Sequence, residues 1–235
     1  MMALPGIALA QQLPTDLLNI PVDGSAAAWI IRTFGLLTVL SIAPGILVMV
    51  TSFPRFVIAF SILRSGMGLA TTPSNMILLS LSLFMTFYVM APTLDRSWQE
   101  GVQPLLQNQL TEAQAVDRIA EPFRAFMTAN TREKDMALFM DIARERGQSV
   151  VTNEKVDYRV LVPAFMISEI RRGFEIGFLI ILPFLVIDLI VATITMAMGM
   201  LMLPPTSISL PFKILFFVLI DGWNLLVGSL VRSFS

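Results

Sequence analysis

Read for the spacing of apolar and polar positions, the chain falls into four long apolar blocks with one polar interruption. Residues 29–50 are apolar except for Arg32 and a Pro44-Gly45 step, which predicts a first membrane-length helix with a kink. Residues 76–94, 173–198 and 208–231 predict three more, and Pro183 predicts a bend in the third of the four. Between the second and third blocks, residues 95–158 turn polar and carry charge of both signs. There Thr111 and Gln114 have capping-box spacing, and Ala115, Ile119, Phe123, Phe126 and Met127 recur at helical intervals, with Pro122 marking a kink or break. Asn130 is placed to cap a second helix with Glu133 at its third position. Met136, Phe139, Met140 and Ala143 form the apolar stripe of that helix, and Arg144, Arg146 and Gly147 are its stop signals. The pattern predicts two amphipathic helices packed on each other, then a polar linker over 152–157.

The fold class this implies is all-α: membrane-associated helical hairpins with a small amphipathic helical lobe. Residues 1–28 form an N-terminal segment, 29–94 a first hairpin, 95–158 the lobe and 159–235 a second hairpin. Ala8-Leu9-Ala10 has the small-x-small form of a signal-peptidase site but no basic region before it. It reads as the remnant of a signal sequence in preference to an ordinary terminal segment. Pro14, Pro21 and Gly24 argue against regular structure over 11–27.

Composition agrees with a bilayer environment. Of 235 residues 55% are hydrophobic and only 14% charged, against about 25% charged in soluble domains. Net charge is -1 with scattered basic residues, which points away from nucleic acid. The chain has no cysteine and no histidine, so disulfides, thiol nucleophiles, imidazole bases and the commonest zinc ligands are all absent. No catalytic residue, metal site or cofactor is predicted, and the glycines form no phosphate loop.

The charges set into apolar sequence are therefore the informative ones. Glu169, Glu175, Asp188, Lys213 and Asp221 lie in or against the last two blocks, where an unpaired charge costs roughly 3 kcal/mol on insertion scales. Arg55 and Arg64 sit among large apolar side chains with no acid nearby, which predicts that both snorkel to a headgroup layer. Glu169 and Lys213, opposite in sign and flanking the second hairpin, are expected to pair as a bridge between adjacent copies, with a within-chain pair as the alternative. For Asp188 a structural hydrogen bond and a direct role stand equal, and Asp221-Gly222-Trp223 reads as a packing element. Lys213 and the short loop carrying Arg55 and Arg64 fall on the cytoplasmic side by the positive-inside rule, which puts the lobe and both termini outside.

Met196, Met198, Met200 and Met202 alternate with Thr195, Ala197, Gly199 and Leu201 just before Pro204-Pro205. Unbranched thioether chains fill irregular gaps and re-pack readily, and the Gly and Pro-Pro steps predict a loop at a hairpin tip.

The run PAFMISEIRRGFEIG from Pro163, with FLVIDLIVAT, GMLMLPP and SLPFKILFFVLIDGWNLLVGSLVRSF after it, closely resembles the FliP family, the flagellar export-gate proteins of bacterial type III secretion, with SctR relatives in virulence systems. TSFPRFVIAFSILRSGMG, TPSN, FMTFYVMAPTLD and FMTANTREKDMALF extend the resemblance over nearly the whole chain after Trp29. It implies a non-enzymatic, pore-forming subunit through which unfolded flagellar substrates pass. The subunit is implied to be a homopentamer assembled with FliQ and FliR, and associated with FlhB. The complex would belong to the bacterial inner membrane, raised toward the periplasm in the basal body. The resemblance also implies a constriction at Met198, Met200, Leu201 and Met202, with Leu201 standing where methionine is common. Pro54, Met76 and Glu175 are further departures from the family pattern. Without the resemblance, an ion-coupled secondary transporter using the intramembrane carboxylates is the competing expectation, although no repeated halves are visible.

Overall fold

The computed structural model describes residues 24–147, 150–152, 155–200 and 204–234; the expected signal site and Leu201 and Met202 of the expected constriction lie outside the described residues. In chain order the helices are α1 (Gly24–Met49), α2 (Phe53–Gly66), α3 (Asn75–Ser97), a π-helical turn (Trp98–Val102), α4 (Gln103–Leu106), α5 (Glu112–Asn130), α6 (Glu133–Glu145), α7 (Tyr158–Ala197), α8 (Pro205–Leu219) and α9 (Gly222–Arg232). Two units divide at Gly45. In the first, the chain is already helical at Gly24, the first described residue, earlier than the sequence pattern placed it. Two hydroxyls of α1 bond back one turn along their own helix, Thr38 to the Phe34 carbonyl at 2.8 Å and Ser41 to that of Leu37 at 2.9 Å, which satisfies both in apolar surroundings.

The second unit is organised around α2, whose Phe56, Ala59, Phe60 and Leu63 are fully buried. Its closest partner is α7, and the reason is a ladder of glycines. A Cβ at Gly173 would meet Ile58 at 3.1 Å, one at Gly177 would meet Ile62 at 2.9 Å, and one at Gly66 would meet Ile181 at 2.3 Å. Positions 173, 177 and 181 of α7 thus face 58, 62 and 66 of α2 in the same order, so the two helices run parallel. Each rung places an isoleucine against bare backbone, the small-residue packing that lets apolar helices approach without a hydrophobic driving force. Helix α3 is inverted in polarity: Ser82, Thr86, Thr93 and Ser97 are buried while Phe84, Phe87 and Tyr88 are exposed. Its buried hydroxyls bond to carbonyls, Ser82 to Leu78 at 2.7 Å, Thr86 to Ser82 at 2.7 Å and Ser97 to Ile119 of α5 at 3.0 Å, while the aromatics face outward.

The lobe differs from expectation in four respects. Helix α5 has the predicted Thr111–Gln114 capping box but runs unbroken through Pro122 to Asn130. Asn130 ends α5, its amide donating to the Phe126 carbonyl at 2.9 Å, so Arg132 caps α6 and Glu133 becomes its first residue. The apolar stripes also pack mainly on α7 and α3: Met127 clusters with Leu161 and Phe165, and Ser168 of α7 donates to Asp135 of α6 at 2.7 Å. Gly147, at φ +65, closes α6 as predicted. In place of a plain linker, Val151 and Thr152 pair antiparallel with Val156 and Lys155.

Helix α7 has 40 residues and continues through Pro163 and Pro183. At about 1.5 Å per residue it is about 60 Å long, twice a bilayer core, so the expected third span is only its second half. The expected fourth span is two helices, α8 and α9, meeting at 63°. Asp221 makes the break in the left-handed region at φ 51, and Gly222 lets α9 fold back on α8: a Cβ there would lie 2.1 Å from the Phe217 ring. Among the described residues two helices, Asn75–Leu106 taken through the π turn and Tyr158–Ala197, are long and apolar enough to cross a membrane, or up to four if each bent pair counts as one span.

Candidate functional site: the α7–α8 hairpin and its buried ion pairs

Helices α7 and α8 form an apolar hairpin whose side chains face outward along much of its length, among them Leu182, Leu185, Leu189, Leu215 and Val218. At its tip Met198 caps α7, Gly199 takes φ +75 and its N–H bonds the Met196 carbonyl at 3.0 Å, so the methionine segment leaves the helix where the glycine predicted. Met196 and Met198 are 57% and 67% exposed, unlike methionines that fill a core. Thr195, Met198 and Met200 line one end of an apolar cavity of about 420 Å³, completed by Ile187, Ile190, Val191, Ile194, Ile208 and Phe212 between the two helices.

Two ion pairs hold the hairpin. Arg55 and Glu169 are both fully buried and make a two-armed contact, with Arg55 Nε donating to Oε2 at 2.9 Å and Nη2 donating to Oε1. Lys213 is 3% exposed and donates to Asp188 Oδ2 and, at 3.1 Å, to the Gly66 carbonyl at the end of α2; the Asp188 side chain is 30% exposed. Ser209 donates to the other carboxylate oxygen of Asp188 at 2.5 Å. Both pairs lie against α2, one at its first turn and one at its last.

These contacts correct several expectations. Glu169 and Lys213 do not pair with each other within the chain: Glu169 meets Arg55 and Lys213 meets Asp188. Arg55 does not snorkel, because Glu169 and Ser233 satisfy its guanidinium where it is buried. Arg64 is half-buried and donates to Asn75 Oδ1 at 2.5 Å and to the Pro73 carbonyl at 3.4 Å, bracing the turn into α3. Glu175 is exposed, and its partner is Arg171 one turn back at 2.8 Å. Asp221 is also exposed, its carboxylate accepting from Asn224 at 3.2 Å. Asp188 is bonded within the helix bundle, to Ser209 and Lys213. Trp223 packs on Phe217 at 5.5 Å and Phe60 at 6.5 Å, as an anchor at the α8–α9 break.

Sequence reasoning missed Arg55 and Ser209 as partners. The signal for Arg55 was present, since it and Glu169 are lone opposite charges in apolar helices. Four lone charges allow more than one pairing, however, and only the parallel α2–α7 ladder selects Arg55 with Glu169. Among the described residues no group of His, Cys, Asp and Glu is arranged to hold a metal.

An all-α protein with membrane-length apolar helices joined by ion pairs, one between α2 and α7 and one between α7 and α8, is of the integral or membrane-associated helical class. Comparison with known proteins makes this specific. Residues 36–230 match the FliP family. The chain is 83% identical over 235 residues to the flagellar biosynthetic protein FliP of Agrobacterium fabrum, covering all of this chain and 96% of that relative. It is 80% identical to that of Rhizobium meliloti over 234 residues, again covering all of this chain and 96% of the relative. With that of Bacillus subtilis it shares 48% identity over 200 residues, 85% of this chain and 89% of the relative. The chain belongs to the FliP family.

Proposed function

We propose that this chain is a pore-forming subunit of the flagellar protein-export gate, with the α7–α8 hairpin tip supplying the constriction. The observation that carries the proposal is the tip itself. Met196, Met198 and Met200 stand at or beside a helix end fixed by Gly199, all unbranched, the first two exposed and the third half-buried, on a hairpin braced from within by the Asp188–Lys213 pair. Such side chains close around one another yet yield to a passing polypeptide. Met198 and Met200, with Leu201 and Met202, are the lining. The outward apolar faces of α3, α7 and α8 are covered in this reading by other copies, in a homopentamer with FliQ and FliR, and with FlhB at the entry. The assembly belongs to the inner membrane, raised toward the periplasm, with the lobe on the periplasmic side and unfolded flagellar subunits as substrates. No catalytic role is assigned.

Ion-coupled transport through intramembrane carboxylates is less well supported. Glu169 is closed off by Arg55, Asp188 by Lys213 and Ser209, and Glu175 and Asp221 are at the surface. Measuring the mass of the complex in mild detergent separates the two: a large closed assembly is expected, and a monomer with transport activity overturns the gate. Replacing Met200, Leu201 and Met202 together with Gly should leave assembly intact but let a dye or ions through the membrane. Normal assembly with no added leak would remove these residues from the lining.

A further inference from the structure

The contacts made by the residues after α9 lie away from the hairpin tip and beyond residues 36–230, which match the family. The Ser233 carbonyl accepts from Arg55 Nη1 at 3.0 Å and from Arg172 Nη1 at 3.3 Å, and its hydroxyl accepts from Arg55 Nη1 at 2.7 Å. One guanidinium therefore holds Glu169 along one edge and Ser233 along the other. The next residue, Phe234, lies beneath that guanidinium with its ring centroid 3.5 Å from the central carbon. It also stacks with two rings, Phe56 of α2 at 5.9 Å and 28° and Phe126 of α5 at 5.9 Å and 21°. Phe126 continues edge-on to Phe165 of α7 at 5.9 Å.

Phe234 thus sits where two separate apolar clusters meet. One is built on α2, α8 and α9; the other, around Met127, Leu161 and Phe165, fastens the second half of α5 to α7. The first half of α5 is held elsewhere: the Ile119 carbonyl accepts from Ser97 at 3.0 Å, and Ile119 itself packs over Gly101.

We propose that residues 233–234 are a clasp that locks the second half of α5, and with it α6, onto α2 and α7, using Arg55 as its seat. The buried Arg55–Glu169 pair then has two roles, joining α2 to α7 and presenting a flat cationic face on which the clasp ring rests. The lobe's attachment to the hairpin body depends on a segment more than a hundred residues further along the chain, so the lobe becomes fixed only after α9 has packed.

The test is residue-resolved amide hydrogen exchange on the full chain in mild detergent. Phe234→Ala removes a doubly stacked ring and a cation–π contact, which should speed exchange at positions 123–130 and in α6 roughly tenfold to a hundredfold. Exchange at 115–119 and along the α2–α7 ladder should stay within about twofold. Phe126→Ala should give the same regional pattern, and adding it to Phe234→Ala should add little further, because both break one stack. If Phe234→Ala does not fold, Phe234→Leu keeps the volume, loses the stacking, and should show the pattern in weaker form. Unchanged exchange at 123–130, or an equal rise at the α2–α7 ladder, overturns the clasp, and neither outcome bears on whether the assembled protein forms an export gate.

Discussion

Removing one partner of the Arg55–Glu169 pair is the sharpest test of how this protein is held together. Arg55→Met leaves a buried carboxylate without its hydrogen-bonded cation, and Glu169→Leu leaves a guanidinium buried with only Ser233 to bond. Breaking a pair this deeply buried costs about 3–5 kcal/mol, whereas replacing both partners with apolar side chains is close to neutral. For a chain of this length that is a fall in Tm of about 6–20 °C for each single variant. The double variant should recover most of it, less the contribution of the Ser233 contacts. The assay is thermal unfolding in mild detergent, followed by tryptophan fluorescence and run as a double-mutant cycle, at a protein concentration low enough to keep the chain monomeric. The reasoning fails if Glu169→Leu costs less than about 1 kcal/mol, or if its cost is the same with and without Arg55. Coupling of Glu169 to Lys213 that vanishes on dilution to monomer would instead restore a bridge between copies.

The Asp188–Lys213 pair should be asymmetric. Asp188→Ala strands a buried ammonium and should lower Tm more than Lys213→Met, which leaves a carboxylate that is a third exposed and still bonded to Ser209. At the glycine ladder, Gly177→Leu should separate α2 from α7 and prevent a stable fold, while Gly177→Leu with Ile62→Ala should recover it in part, read as detergent-resistant protein yield. An Arg146→Cys variant, whose new thiol stands at the exposed end of α6, should react with an impermeant thiol reagent from the periplasmic side. Labelling only after the inner membrane is opened would reverse the proposed orientation.

Much of this protein was legible in its sequence, because the strongest signals are local. Capping at Thr111, the stop at Gly147, the exit from α7 at Gly199 and the membrane-length apolar blocks all depend on a few consecutive residues and on hydrogen bonds they make among themselves. The family was legible too, since long motifs at fixed spacing survive without any knowledge of the fold. What the sequence left open is which distant groups meet. Arg55, Glu169, Asp188 and Lys213 were each recognisable as lone charges in apolar surroundings, but the energy of a buried charge depends on its partner, and partners separated by 25 or 114 positions are brought together only by helix packing. The α2–α7 ladder made that choice. Its glycines let two helices run parallel and close, which sets Arg55 beside Glu169 and the end of α2 beside Lys213. The break at Asp221 was hidden for a similar reason: 208–231 is apolar enough for one helix, and only the packing of Gly222 against the Phe217 ring makes it two.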